Sequence, residues 1–266
     1  MSLPSIADIR GADRGYLAFH APRYRFLLEL IGGHLDGADR RVLDIGLSPF
    51  TALLRDYLHM PVDTLGLEPQ SALRDSAHFQ IDLNRLDDPD CPPPRLGPYD
   101  VIVFAEVLEH LSTSPLPVLR FLHGGLAERG VLIVQTPNAA SLFKRLKLLV
   151  GRHPYEMIRE TRTNPGHFRE YTLGELEQLT ESAGFETVVV FRRYYFDARF
   201  ADVHESGRGG TPSPIVGMVK NVVYSALPPF LREGLTIVLR RRDGSLTRAG
   251  RTREHNAPPP GPEPGE

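Results

Sequence analysis

The sequence of 266 residues contains one cysteine and no long apolar run. With Cys91 as the only thiol, a disulfide framework and a thiolate metal site within the chain are both excluded. No stretch reaches the roughly 18 apolar residues of a membrane span, and the first residues show no hydrophobic signal region. We therefore expect no membrane span and a cytoplasmic protein.

An excess of charge of one sign is also lacking. The formal net charge is −2 at pH 7 and the pI is near 6.6. This balance is not typical of a nucleic-acid-binding domain, so we expect no nucleic-acid partner. One local group of basic residues is interpreted as a solvated helix face, namely Lys144, Arg145, Lys147 and Arg152.

The apolar runs that are present predict an α/β fold. Four runs, with a weaker fifth at 79–83, occupy residues 42–45, 64–67, 101–104 and 131–134. Stretches at 52–58, 106–111 and 118–127 are helical in character and lie between them. Near-continuous apolar strands separated by helices predict a parallel sheet that is covered on both faces. Two later strands, 186–192 and 235–240, bring the predicted number to seven.

The rest of the chain is organised around this predicted sheet as a single domain, residues 1–240. A helical cap at 1–38, with its helix at 15–36, precedes the first strand, and two excursions occupy 139–170 and 194–234. Thr172 and Glu175 have the spacing of a capping box, which opens a helix to about Ala183. Residues 241–266 are rich in Pro, Gly and charge and are predicted to be disordered.

Within the second excursion, residues 215–227 form a predicted helix with an apolar face. We interpret this face as a core or dimer contact, which leaves a homodimer open, rather than as a membrane-surface helix.

Acidic residues follow the first three predicted strands. Asp44 precedes Gly46 in RVLDIGLSPFT (41–51), where a carboxylate suits an ammonium group better than a diphosphate. Glu68, 24 residues after Asp44, is placed to accept two ribose hydroxyls. Asp82 offers a carboxylate for an exocyclic amine, and Leu83 an apolar contact for a purine face. One such acid is often only a helix cap, but three in order indicate a ligand with an ammonium, a diol and an adenine.

These groups describe S-adenosylmethionine, and the chain resembles the class I S-adenosylmethionine-dependent methyltransferases. The segments that carry the resemblance are VLDIGLSPFT (42–51), LGLEP (65–69), IDL (81–83), YDVIVFAEVLEHL (99–111), GVLIVQTPN (130–138) and HFREYTLGELEQLTESAGF (167–185). The last three resemble the branch of ubiquinone-biosynthesis O-methyltransferases and bacterial small-molecule and glycan methyltransferases. In the family motif D-x-G-x-G-x-G, Asp44 and Gly46 match, whereas Ser48 and Phe50 replace the second and third glycines.

The resemblance implies a Rossmann-like, seven-stranded, mostly parallel sheet with an antiparallel strand in the late pair. It implies S-adenosylmethionine as cofactor, held by Asp44, Gly46, Ser48, Glu68, Asp82 and Leu83, with Glu106 near the methionine end. The acceptor is expected to be a small molecule or a sugar, most readily methylated on oxygen, and the two excursions are expected to form its lid.

A second group of polar residues follows the fourth strand. On a helix over 106–111, Glu106, Glu109 and His110 have the spacing i, i+3 and i+4, and His167 supplies a fourth ligand. The group resembles that of the metal-dependent branch typified by small-RNA 2′-O-methyltransferases, which implies Mg²⁺ or another divalent cation. Without a metal, His110 or His167 is the predicted general base for an acceptor hydroxyl.

Other residues have weaker signals. His20, Arg23 and Tyr24 are placed to cover the cofactor or the substrate, or simply to pack. Tyr155, Arg159 and Arg162 lie in the first excursion, and Tyr194, Tyr195 and Phe196 offer an aromatic wall of which at least one belongs to the core.

Two other classes remain open, a nucleotide-dependent oxidoreductase and a non-catalytic binding or scaffold protein on the same fold. The sequence does not name the acceptor.

Overall fold

The computed structural model describes residues 14–35, 37, 39–68, 76–90, 92–161, 165–200, 214–242 and 253–254. The sheet that they form has the strand order β3-β2-β1-β4-β5-β7-β6-β8. Its strands are β1 (Val42–Ile45), β2 (Asp63–Gly66), β3 (His78–Gln80), β4 (Tyr99–Ala105), β5 (Leu126–Pro137), β6 (Phe185–Arg193), β7 (Gly234–Arg241) and β8 (Arg253–Glu254).

Six α-helices lie in the described part of the chain. They are α1 (Arg14–Gly32), α2 (Pro49–Leu58), α3 (Pro115–Gly125), α4 (Leu142–Leu149), α5 (Leu173–Ser182) and α6 (Pro214–Ala226). Apolar residues of α1 and α2 pack on one face of the sheet, and those of α3 and α5 pack on the other. Apolar residues of β1 and β4 alternate between these two cores, which is why both strands are mostly apolar.

The topology confirms the predicted fold class. Strands β1 to β5 pair in parallel, and β7 is antiparallel to both β5 and β6. The two-residue strand β8 pairs in parallel with β6 and was not among the predicted strands. Because the parallel strands all end at one edge of the sheet, the loops after β1, β2 and β4 are neighbours.

Three predicted elements were wrong in extent or type. The helix over 106–111 is absent, because Glu106 has a φ of 56° and only a 3₁₀ turn at Leu108–His110 follows it. The helix expected at 118–127 begins at Pro115 and ends at Gly125, since the next residues belong to β5. The third strand ends at Gln80, and Asp82 then caps a 3₁₀ turn that begins at Leu83.

Of the core or dimer contact predicted for the apolar face of α6, the core alternative was wrong, and the dimer contact stays a prediction. This helix packs through Gly217, Asn221 and Tyr224, while its aliphatic residues are exposed. Lys144, expected on a solvated helix face, is instead buried in an ion pair with Glu170. Among the described residues, no helix combines the length and the hydropathy that crossing a membrane would need. Cys91, Arg162, residues 1–13 of the predicted N-terminal cap and most of the predicted C-terminal tail lie outside the described residues.

Candidate cofactor and acceptor site

The loop between β1 and α2 reverses direction at one glycine. Gly46 has a φ of 88°, in the left-handed region, and its N–H donates to the Leu65 carbonyl at 2.7 Å. Ser48 has a φ of −146°, which is extended backbone open to any residue. The loop therefore needs a glycine at position 46 but not at position 48, where the family motif has its second one.

Ser48 begins α2 as its N-cap. Its hydroxyl accepts from the Phe50 N–H at 3.2 Å, and Thr51 completes a capping box by accepting from the Ser48 N–H at 3.2 Å. Phe50 is buried against Tyr24 of α1, with ring centroids 5.3 Å apart, and both residues line the space beside the loop. Both departures from the glycine-rich motif thus stabilise the start of the helix.

Asp44 is the buried acid of this loop. The Thr51 hydroxyl donates to its Oδ2 at 2.6 Å, so the same threonine caps α2 and orients the carboxylate. Burial raises the pKa of Asp44 to about 7, although the Thr51 hydrogen bond and the Arg23 charge act in the opposite direction. A group with this pKa gains from a cation placed beside it, because the cation compensates a poorly solvated charge.

A pocket of about 150 Å³ opens above the loop. Its polar lining includes Arg23 from α1, Asp44 and Ser48 from the loop, and Glu106 from the end of β4. Arg23 Nη1 lies 3.4 Å from Glu106 Oε2, whereas the buried Arg23 Nε makes no hydrogen bond within the described part of the chain. The pocket therefore has acidic groups and a cation with unused hydrogen-bonding capacity.

Glu106 reaches this pocket through a strained backbone. Its φ of 56° is unusual for a residue with a side chain, and its N–H donates to the Gln135 carbonyl of β5 at 2.8 Å. Burial raises the pKa of Glu106, and the nearby Arg23 guanidinium opposes that shift. The turn thus brings Glu106 beside Arg23, while its charge still acts on Glu109 and His167.

Glu68 lies at the end of β2, next to the β1 loop. The Glu68 carboxylate folds over the strand end, since an ideal Cβ on Gly66 would lie 2.5 Å from Glu68 Oε2 and 3.7 Å from the Leu47 N. His78 supports this turn, because its Nε2 donates to the Glu68 carbonyl at 2.7 Å and its Nδ1 lies 2.8 Å from the Thr64 hydroxyl. Glu68 itself is exposed and available to a ligand.

The structure places Asp82 and Leu83 differently from the acids of the first two strands. Asp82 Oδ1 accepts from the Asn84 N–H at 3.0 Å and caps the 3₁₀ turn, and Leu83 is buried in the core. Neither residue lines the pocket of Arg23 and Asp44. This cap is the ordinary role that a lone acid after a strand often has.

A second cluster lies past β4, where the first excursion returns. Glu109, His110 and His167 each offer a ligand atom, and these atoms lie within 4.8 Å of one another. The Phe168 N–H donates to the Glu109 carbonyl at 2.8 Å, which fixes His167 against the 3₁₀ turn. The sequence predicted a set of four with Glu106, and the structure brings three of them together.

Hydrogen bonds determine which nitrogen of each imidazole is available. His110 Nδ1 lies 2.9 Å from the Gly166 carbonyl, and His167 Nδ1 lies 3.0 Å from Glu170 Oε1. A carbonyl or carboxylate oxygen only accepts, so both Nδ1 atoms carry a proton, and in the neutral form of each ring Nε2 keeps its lone pair. This orientation is typical of histidines that ligate a metal.

Glu109 is the buried acid of this cluster. Its side chain has no exposed area, Oε2 accepts from the Thr136 hydroxyl at 2.9 Å, and Oε1 has no hydrogen-bond partner in the described residues. Burial raises the pKa of Glu109 to about 8, and the Glu106 carboxylate adds to the shift. Burial lowers the pKa of His110. That of His167 is raised despite burial, by the hydrogen bond to Glu170 and the charge of Glu109.

Three functional contacts were missed from the sequence. Thr51, which orients Asp44, had no signal beyond its place in the capping box. Glu170 orients His167 and pairs with Lys144, and its spacing of three residues after His167 was the available sign. The position of Arg23 opposite Asp44 depends on how α1 packs, and no local pattern reveals it.

Comparisons with known proteins agree with this geometry. A family model described as a methyltransferase domain matches residues 16–190. No curated protein sequence matches the chain. Three solved structures resemble it in fold at low sequence identity, and their shared features are the sheet and the helices around it.

The CcbJ methyltransferase of Streptomyces caelestis is 16% identical with a TM-score of 0.52, over 90% of this chain and 99% of that one. A SAM-dependent methyltransferase of Archaeoglobus fulgidus is 16% identical with a TM-score of 0.50, over 86% and 100%. The [4+2]-cyclase SpnF is 19% identical with a TM-score of 0.52, over 84% and 82%.

The sheet order, the acid-and-glycine turn after β1 and the matched family model define a class I S-adenosylmethionine-dependent methyltransferase. The chain belongs to this family, as its sequence motifs predicted.

Proposed function

We propose that the protein transfers the methyl group of S-adenosylmethionine to a hydroxyl oxygen of a small-molecule or sugar-like acceptor. The observation that carries the proposal is the pair of buried opposite charges, Asp44 and Arg23, in one pocket beside Gly46. The methionine end of the cofactor carries an ammonium and a carboxylate on one carbon. A carboxylate and a guanidinium that face a common space complement these two groups.

The residues of the pocket fit this cofactor. The Arg23 Nε is buried without a hydrogen-bond partner in the described residues, which a ligand carboxylate would supply. Asp44 would hold the ammonium, Ser48 and Glu106 would border the methionine end, and Glu68 would accept the ribose hydroxyls. We keep Asp82 and Leu83 as the adenine end of the proposed site. S-adenosylmethionine, when bound, supplies a methyl group on a sulfonium that needs no further activation.

The protein then has two tasks, which are to align the acceptor oxygen and to receive its proton. The Nε2 atoms of His110 and His167 are free to accept that proton, because both Nδ1 atoms donate elsewhere. These two histidines are the proposed catalytic residues.

The same cluster fits a divalent cation. Glu109 Oε1 is buried without a partner, and it shares a small space with two imidazole lone pairs. Two histidines and one carboxylate favour a first-row transition ion such as Mn²⁺ or Fe²⁺ over Mg²⁺, which prefers oxygen ligands. A bound cation would supply Lewis-acid chemistry that lowers the pKa of an acceptor hydroxyl.

Titration of the purified protein with Mn²⁺ tests the cation site directly. Glu109→Gln and His167→Ala should each lower the Mn²⁺ affinity by at least about 10- to 100-fold. Glu106→Gln is the comparison variant and should change the affinity much less, because Glu106 pairs with Arg23 and acts on the cluster only through its charge. If the wild-type protein binds no Mn²⁺, the cation site is rejected and the two histidines remain the proposed proton acceptors. If Glu106→Gln loses as much Mn²⁺ affinity as Glu109→Gln, Glu106 is a fourth ligand, as the sequence predicted.

Calorimetry with two ligands tests the proposed cofactor pocket. Arg23→Met should lower the affinity for S-adenosylhomocysteine by about 10- to 100-fold, because a charge-assisted hydrogen bond to the ligand carboxylate is lost. The same substitution should not change the affinity for 5′-methylthioadenosine, because this ligand lacks the amino-acid end. The double variant Arg23→Met/Glu106→Gln also removes the Glu106 charge, which Arg23→Met leaves without its ion-pair partner. It should lose as much affinity for S-adenosylhomocysteine as Arg23→Met alone. Arg25→Met, an exposed neighbour on α1, should bind like wild type. Equal losses for both ligands would contradict the assigned contact.

A methyl-transfer screen against phenols, sugars and carboxylic acids, with and without a chelator, tests the reaction itself. The fold also occurs in a protein named as a cyclase, so fold alone does not decide the chemistry. Binding of S-adenosylhomocysteine without methyl transfer to any acceptor would favour the non-catalytic alternative. Binding of NAD in its place would favour the oxidoreductase.

A further inference from the structure

Helix α6 has the reverse of the usual amphipathic arrangement. Its inward residues are Gly217, Asn221 and Tyr224, and an ideal Cβ on Gly217 would meet Arg199 Cα at 2.4 Å. Its outward residues are aliphatic and between 46% and 72% exposed, namely Ile215, Val216, Met218, Val219, Val222 and Val223. A helix normally turns such residues to the core, so this face is an apolar surface that no other part of the described chain covers.

Helix α4 extends the apolar surface. Its first turn contacts the end of α6, with the rings of Phe143 and Tyr224 4.9 Å apart. Leu146, Leu149 and Val150 are exposed, and Leu149 is 81% exposed. Met157, in the chain that follows, is 89% exposed. The two helices therefore present neighbouring apolar surfaces, and we call this surface the α4–α6 face.

The charges on the two helices themselves have one sign, although Glu156 follows α4 and Glu233 follows α6 in the chain. Residues 139–155 and 214–232 contain no Asp or Glu. Their basic residues include four that are exposed, Arg145, Lys147, Arg152 and Lys220. Basic side chains around exposed aliphatic ones are the pattern of a helix that lies in a lipid interface, where cations contact anionic headgroups.

Two other kinds of occupant, a second copy of the chain and the segments adjacent to the face in sequence, fit it less well. In a symmetric dimer through the α4–α6 face, the same basic residues would oppose one another. The segments next to it in sequence outside the described residues, 201–213 and 243–266, each contain one large aliphatic residue, Val203 and Leu246. They offer little apolar area with which to cover it.

We propose that the α4–α6 face docks the protein on an anionic lipid surface, as a peripheral contact that does not span the bilayer. The helices would lie along the interface, with their aliphatic residues among the acyl chains and their lysines and arginines at the headgroups. The proposal does not depend on the reaction that the protein catalyses.

Flotation of the full chain with vesicles tests the docking. We expect binding to phosphatidylcholine vesicles that contain roughly 30% phosphatidylglycerol, and much weaker binding to phosphatidylcholine alone. Lys147→Glu/Lys220→Glu should lower the partition coefficient about fivefold or more for each cation removed. Arg120→Glu, which removes an exposed cation from α3, should have no effect.

The apolar contribution needs its own pair of variants. Val219→Glu/Val222→Glu should lower the partition coefficient at least about tenfold, because charged side chains would replace buried aliphatic ones. Val188→Glu, at a position of β6 that is 37% exposed, is the matched control and should bind like wild type. Binding of S-adenosylhomocysteine or an unchanged melting temperature verifies that each variant is folded.

Three results would overturn the proposal. Wild-type protein that does not float with the anionic vesicles is the first, and binding that survives Val219→Glu/Val222→Glu is the second. The third is a wild-type dimer in sedimentation equilibrium that the same double variant converts to a monomer without any vesicle binding, since a second copy would then cover the α4–α6 face.

Discussion

At the scale of single residues, the site combines buried charges with few solvating partners. Asp44 and Glu109 are both buried acids, each with one side-chain hydrogen bond from a threonine hydroxyl. Burial raises the pKa of each, to about 7 for Asp44 and about 8 for Glu109. The surrounding fold holds these carboxylates where their charge is poorly solvated, and a cationic ligand would compensate that charge. They are therefore better explained by ligand binding than by a contribution to the stability of the fold.

The raised pKa of Asp44 predicts a pH-dependent affinity. An ammonium requires the charged carboxylate, so binding below pH 7 must first release a proton from Asp44. The affinity for S-adenosylhomocysteine should therefore rise up to about tenfold per pH unit below pH 7 and level off above it. Calorimetry from about pH 5.5 to about pH 8.5 measures this slope.

Asp44→Asn is the control for that profile. It should bind weakly and lose the dependence on pH, whereas Arg23 and Glu106, which share the pocket, remain. A slope that persists in Asp44→Asn would assign the titration to Glu106. For stability the sign is opposite, because the folded state holds the proton more tightly. The Asp44 contribution to the free energy of unfolding falls as the pH rises from about 4 to about 7.

At the scale of elements, helix caps show how far sequence signals extend. Two capping boxes are present, Ser48 with Thr51 on α2 and Thr172 with Glu175 on α5. The second was predicted from its spacing, because a capping box needs only residues that are close in the chain. The first was overlooked because Ser48 was considered as a replaced glycine. The helix predicted over 106–111 is absent for the opposite reason, because a residue far along the chain sets the backbone there. The Glu106 N–H donates to the Gln135 carbonyl of β5.

The capping box of Ser48 predicts a change in stability. Ser48→Ala should lower the free energy of unfolding by about 1 kcal/mol, and Ser48→Gly by only a few tenths of that. Ser48→Gly should leave the affinity for S-adenosylhomocysteine unchanged, because the backbone there is extended. Chemical denaturation measures the first effect and calorimetry the second.

Thr172→Ala provides the comparison at the other capping box. It should lower the free energy of unfolding by a similar amount, about 1 kcal/mol, without altering cofactor affinity, because α5 does not line the pocket. If Ser48→Ala were as stable as wild type, the N-cap assigned to Ser48 would be wrong.

At the scale of the whole molecule, packing of α1 over the carboxyl edge of the sheet completes the cofactor pocket. Arg23, Tyr24 and Leu27 from α1 line the same space as Gly46 and Glu106. A ligand that bridges these parts should stabilise the whole fold, since it binds the folded state alone.

Thermal unfolding with two ligands tests this coupling. S-adenosylhomocysteine at about 100 times its Kd should add about 2.7 kcal/mol, which is roughly 5–10 °C in Tm for a domain of this size. NAD at the same concentration should produce no shift, since its diphosphate would face Asp44. A larger shift with NAD would reverse the choice between the methyltransferase and the oxidoreductase.

The sequence by itself determined seven of the eight described strands, most of the helices between them, the glycine turn at position 46 and the acids at the ends of the first three strands. Each of these depends on periodicity or on contacts within a few residues, which the local sequence specifies. Only the tertiary structure decided that Arg23 faces Asp44, that Glu106 leaves the cluster of Glu109, His110 and His167, and that α6 turns its valines outward. Those outcomes depend on which distant elements pack together, and neighbouring residues carry no information about that.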